Sequence, residues 1–226
     1  MSSVIATGYR SSIGKKAVMA VSGGVLVLFL IGHMIGNLKI FLGAETFNHY
    51  SAWLRTMGEP ALPYRTILTI IEIVLTVSVV AHIWSAALLS KQAHAARPVR
   101  YQHKARVQQS YSSRTMRWGG PIIALWVIYH LLDITFGVAN PAGTTATPYE
   151  KVIGGFSHWW IALIYVLAVL LVGVHLRHGI WSAAATLGFN KRGRERGLNA
   201  LAVTVATVLT VGFVIVPLSV LIGLVK

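Results

Sequence analysis

Five continuous apolar stretches dominate this sequence and restrict what it can become. They run over approximately 16–42, 64–90, 118–138, 156–186 and 198–225. Each reaches the roughly 20 residues a helix needs to cross the hydrocarbon of a bilayer. Their lengths leave room for tilt or for ends that project beyond the lipid. The expected fold is therefore all-α: one integral membrane bundle of five transmembrane helices covering residues 1–226.

Composition agrees. Charged residues make up only 12% of the 226 residues, against 55% hydrophobic, and the mean hydropathy is +0.65. A soluble domain carries about a quarter charged residues. A net charge of +14 would otherwise point to nucleic acid, but a nucleic-acid binder carries its charge on a soluble scaffold. Here it sits in short loops between apolar blocks, where membrane lipid headgroups are the natural partner. Without cysteine, the chain supplies no disulfide, thiolate nucleophile or iron-sulfur ligand.

Lys and Arg are retained on the cytoplasmic side of a membrane. They concentrate in three segments: Arg10, Lys15 and Lys16; Lys91, Arg97, Arg100, Lys104, Arg106, Arg114 and Arg117; and Lys191, Arg192, Arg194 and Arg196. The alternate loops are poorer in them. The N-terminus is expected inside, as a retained tail without signal-peptide features, and the C-terminus outside. FNHYSAWLRTMGEPALP reads as an amphipathic helix in the outer interface, and residues 140–149 as irregular.

An ionisable side chain inside a span is costly and is a functional hypothesis by default. His33, His82, His130 and His175 fall well inside the first four spans, one in each. Helical rise puts His33 and His130 in the outer half and His82 and His175 in the inner half. Two histidines on facing helices at one depth are what bis-histidine haem ligation requires. Gly32 and Gly36 beside His33, Ala81 beside His82, and Gly173 and Gly179 around His175 would let a macrocycle approach the backbone. The same pattern is compatible with helix-helix hydrogen bonds and with the proton relay of a small transporter.

SGGVLVLFLIGHMIGNLKIFLG, FNHYSAWLRTMGEPALP, AHIWSAALLSKQAHAARPVRY, YHLLDITFG and HLRHGIWSAAATLGFN together resemble the membrane-anchor cytochrome b subunit of succinate dehydrogenase and fumarate reductase, in its single-polypeptide, five-helix, di-haem form. The resemblance runs over nearly the whole chain, and its HxxHGxW and GEPxLP strings are specific. It implies two b haems, the outer on His33 and His130 and the inner on His82 and His175. It also implies electron transfer from a flavoprotein subunit, through an iron-sulfur subunit, to quinone, usually menaquinone. The succinate site would then lie in another chain, and this one in a bacterial cytoplasmic (inner) membrane. A haem-free anchor with a quinone pocket is the other reading within that family.

Arg177 is a candidate haem-propionate partner or a snorkelling cation. His178 is the rival ligand to His175, one turn on. Glu72 and Asp133 are the only carboxylates inside spans. Either would serve proton transfer to an outer quinone, or structural pairing with Lys39, Arg65 or a histidine. His49, His158, Trp53, Trp159 and Trp160 read as interfacial anchors. The basic loop containing His94 and His103 reads as a docking face for lipid or for the iron-sulfur subunit.

Overall fold

The computed structural model describes residues 11–96, 111–190 and 193–226, with side chains at 111–115 and 117 excepted. The cations Arg10, Arg97, Arg100, Lys104, Arg106, Lys191 and Arg192, together with His103, lie outside the described residues, as do the side chains of Arg114 and Arg117.

Seven α-helices are described. Helix α1, Ser12–Leu38, begins where the Ser11 side chain accepts the Gly14 N–H at 3.0 Å and ends in a tight turn over Lys39–Leu42. Helix α2, Ala44–Thr56, follows Gly43, whose φ of 91° suits a residue without a Cβ. Helix α3 spans Thr66–Ala95, and α4 spans Tyr111–His130 before widening into a π-turn over Leu131–Thr135. Helix α5, Pro148–Phe156, starts at a capping box in which Thr147 and Glu150 satisfy each other's backbone N–H. Helices α6, Trp159–Thr186, and α7, Glu195–Leu221, complete the chain.

Helices α1, α3, α4, α6 and α7 supply five spans long and apolar enough to cross a membrane, as the sequence predicts. The boundaries differ in informative ways. The third span ends at Thr135 rather than 138, because the π-turn and Gly137 redirect the chain. The fourth begins at Trp159, because Phe156 belongs to a separate helix that the sequence left undivided.

Helix α6 is the hub, packed on α1, α4 and α7, while α3 leans on α1. Side by side the order is α3, α1, α6, α4, with α7 behind α1 and α6. Among the described residues no extensive packing joins α3 to α4, α1 to α4 or α3 to α6. Small residues allow the closest crossings: Gly173 of α6 receives Thr210 of α7, and Gly212 of α7 receives Met34 of α1.

Helices α2 and α5 lie across one end of the bundle and close it. Ile40, Phe47, Val152, Phe156, Ile161, Val216 and Val220 form the largest buried cluster there. Trp53, Trp159 and Trp160 at this end are exposed, as interfacial aromatics are. Elsewhere Leu28, Val77 and Leu125 point outward, as lipid-facing side chains do.

Candidate functional site

The rings of His33 (α1) and His130 (α4) stand 6.0 Å apart centre to centre, with planes at 85°. Those of His82 (α3) and His175 (α6) stand 6.1 Å apart at 63°. Both pairs join helices that are not packing neighbours, so the imidazoles meet across the middle of the four-helix array. Tyr165 touches His130 and lies ten residues before His175 on α6. The two pairs are therefore separated by about 15 Å along the bundle, the first nearer the end closed by α2 and α5.

Two imidazoles bonded to one metal through a nitrogen each, at about 2.0 Å, have ring centres about 6.3 Å apart. A direct N–H···N bond of about 2.9 Å would bring them to about 5.2 Å. The observed spacings lie close to the first distance and within the roughly 4.5–7 Å range of edge-to-face ring contacts, and among the described residues no hydrogen bond joins the rings of either pair.

The four rings differ in their surroundings. His82 Nδ1 lies 3.1 Å from the Met19 carbonyl and 3.5 Å from Ser22 Oγ. A carbonyl only accepts, so Nδ1 carries the proton and Nε2 is free to bind a metal. Gly23 makes this possible, since a Cβ there would stand 3.2 Å from His82 Cε1. His175 Nδ1 is buried and has no hydrogen-bond partner among the described residues. His33 stacks on Phe29 and lies against Phe213. His130 lies over Trp126, with Nδ1 3.3 Å from the Tyr165 hydroxyl.

A flat macrocycle needs space beside its ligands. A small cavity opens next to His175, lined by Met116, Gly119, Leu171 and Val174. A Cβ at buried Gly119 or half-buried Gly179 would meet nothing within 4 Å, and Gly24 and Gly32 are equally clear but exposed. Gly36 and Gly173 do different work from that expected of them: Gly36 is filled by Tyr50 of α2 and Gly173 by Thr210 of α7. The donor set, two facing imidazoles at each level, suits bis-histidine haem ligation.

The other candidates separate clearly. His175, not His178, faces His82. Arg177 is exposed and, two residues along the helix, points away from His175, which is the snorkelling arrangement. Glu72 is paired with Arg65, Oε1 to Nη2 at 3.0 Å, near the closed end. Asp133 is fully buried: Oδ2 accepts from the Tyr165 hydroxyl at 2.7 Å and Oδ1 from Asn140 Nδ2 at 2.7 Å. Although it lies in the π-turn, it meets the same Tyr165 hydroxyl as His130. Tyr165, Asn140 and Gly23 had no sequence signal of their own. Their partners lie 32, 7 and 59 positions away.

Fold and site together define a five-span helical membrane bundle with two histidine pairs meeting across its interior. The chain belongs to the succinate dehydrogenase/fumarate reductase transmembrane subunit family, whose profile matches residues 90–214, more than half of its length. That match takes in His130 and His175 and begins after His33 and His82. Membership makes the chain a membrane subunit and implies soluble catalytic partners. No curated protein and no solved structure gives a significant match.

Proposed function

We propose that this chain is the di-haem cytochrome b anchor of a bacterial succinate:quinone oxidoreductase, passing electrons from an iron-sulfur subunit to quinone, with menaquinone the expected acceptor. The observation that carries the proposal is the spacing of the two pairs, 6.0 and 6.1 Å, between helices that do not otherwise pack. His33 and His130 would hold one haem, and His82 and His175 the other. Haem b supplies a one-electron carrier that lipid alone lacks.

The chain's own residues do the rest. Met19 and Ser22 orient His82, while Gly23 and Gly119 keep space beside the inner pair. Phe29, Phe213 and Trp126 surround the outer pair with apolar rings, which keeps water from it. Exposed Lys91, Arg194 and Arg196 at the open end offer positive charge to the iron-sulfur subunit in a bacterial cytoplasmic membrane. At the closed end Glu72, paired with Arg65, is the exposed carboxylate within a span and would serve proton exchange with a quinone headgroup.

The test is a split between two activities of the assembled complex. In His82→Ala, quinone-linked turnover is expected to fall at least tenfold, while succinate oxidation measured with a soluble dye acceptor persists. Unchanged quinone-linked turnover would contradict the electron-transfer role.

A further inference from the structure

Around His130 lies a buried polar chain that ligand positions alone do not explain. Asp133 is 0% exposed, Tyr165 5%, Asn140 7% and Lys151 8%, so every member is withdrawn from water and lipid. Burying this many polar groups is costly unless each is hydrogen-bonded. The amide of Asn140 is fully used: Oδ1 accepts the Ala142 N–H at 2.9 Å, and Nδ2 donates to Asp133 Oδ1 and to the Lys151 carbonyl at 3.0 Å. That fixes its orientation and makes Asp133 Oδ1 an acceptor. Lys151 is tied separately, its Nζ donating to the Thr135 carbonyl at 3.4 Å.

The remaining protons follow in sequence. An imidazole binding iron through Nε2 carries its proton on Nδ1. His130 Nδ1–H then donates to the Tyr165 oxygen at 3.3 Å, and the single phenolic proton goes to Asp133 Oδ2 at 2.7 Å. One consistent direction runs from ligand to carboxylate. The π-turn over Leu131–Thr135 swings Asp133 under Tyr165, and α5 supplies the backbone carbonyl that holds Asn140.

We propose that Tyr165, braced by Asp133 and Asn140, is the positioning residue for His130, fixing its tautomer and ring orientation and increasing its electron donation to the haem held with His33. The inference rests on the haem assignment above. The other pair is built differently: His82 is steered by a backbone carbonyl, and His175 Nδ1 has no partner among the described residues. The two haems therefore differ in how side-chain substitution can tune them. A hydrogen bond accepted from a ligand imidazole makes it a stronger donor and favours ferric iron, lowering the potential.

The experiment is an optical redox titration with low-temperature EPR on the purified complex, comparing wild type, Tyr165→Phe and Asp133→Asn. In Tyr165→Phe both haems are retained, one midpoint potential rises with a change in that haem's low-spin g-values, and the other haem is unchanged. Asp133→Asn, which keeps the side-chain shape and removes the charge, moves the same haem in the same direction by less, and serves even where the tyrosine variant does not assemble. Two haems in wild type with no shift in either variant would overturn the inference and leave the haem assignment standing. A wild type without haem overturns both.

Discussion

His33 and His130 meet across the bundle from α1 and α4, ring centres 6.0 Å apart, although those helices do not lie side by side. A polar pair between membrane spans is expensive, and on the haem reading proposed above a shared metal would offset that expense. The same holds for His82 and His175 at 6.1 Å. The pairs belong to different levels and share no ligand. His33→Ala or His130→Ala should remove one haem and spare the other, and His82→Ala or His175→Ala should do the reverse. Pyridine haemochrome analysis of the purified variants reads the count, and loss of neither haem in a variant contradicts the pairing.

The crossing of α6 and α7 depends on Gly173, into which Thr210 packs while its hydroxyl donates to the Ala206 carbonyl at 2.7 Å. Gly173→Ala overpacks that contact and should cost about 1–3 kcal/mol. Gly197, exposed on α7 with nothing within 4 Å of an added Cβ, is the control: Gly197→Ala should be neutral or stabilising by up to about 1 kcal/mol through helix propensity. Denaturation of the detergent-solubilised protein distinguishes the two.

Arg65 sits at a φ of 64°, a left-handed conformation uncommon for a residue with a side chain, and pairs with Glu72 across exposed surface. Exposed pairs contribute about 0–1 kcal/mol, and glycine relieves backbone strain of similar size. Arg65→Gly should therefore change stability by less than about 1 kcal/mol. A loss several times larger would mean the ion pair holds the start of α3.

At Thr147 the capping box holds the Glu150 carboxyl below its usual range, first through the Thr147 backbone N–H and then through its hydroxyl. A carboxyl lowered in the folded state contributes stability above its unfolded pKa and loses it as pH falls through the folded value. The cap therefore weakens only below about pH 4.5, the unperturbed value for Glu150. Thr147→Ala should cost about 1 kcal/mol at neutral pH, and the deficit should shrink on acidification. Thermal unfolding at the two pH values checks both.

The spans and the histidine pairs were legible because each follows a local rule: apolar length for the helix, and depth along it for the pairing. His82 and His175 could be matched from loop charges and helical rise alone. Tyr165 and Asn140 could not, because they reach Asp133 only after the π-turn and α5 have folded the closed end back onto the bundle. Glycine signals were ambiguous for a physical reason. A missing Cβ admits either a macrocycle or another helix, and only the neighbours decide: Tyr50 claims Gly36, whereas Gly32 stays open. Arg177 read equally as a propionate partner or a snorkelling cation, because depth in a span alone does not say which way a side chain turns; it is exposed, on the far face from His175.

The most direct test of the central claim is the ratio of haem b to polypeptide in the purified wild-type complex, by pyridine haemochrome absorbance against quantitative amino-acid analysis. Two haems per chain are expected. A ratio of zero would contradict the account and leave a haem-free membrane anchor.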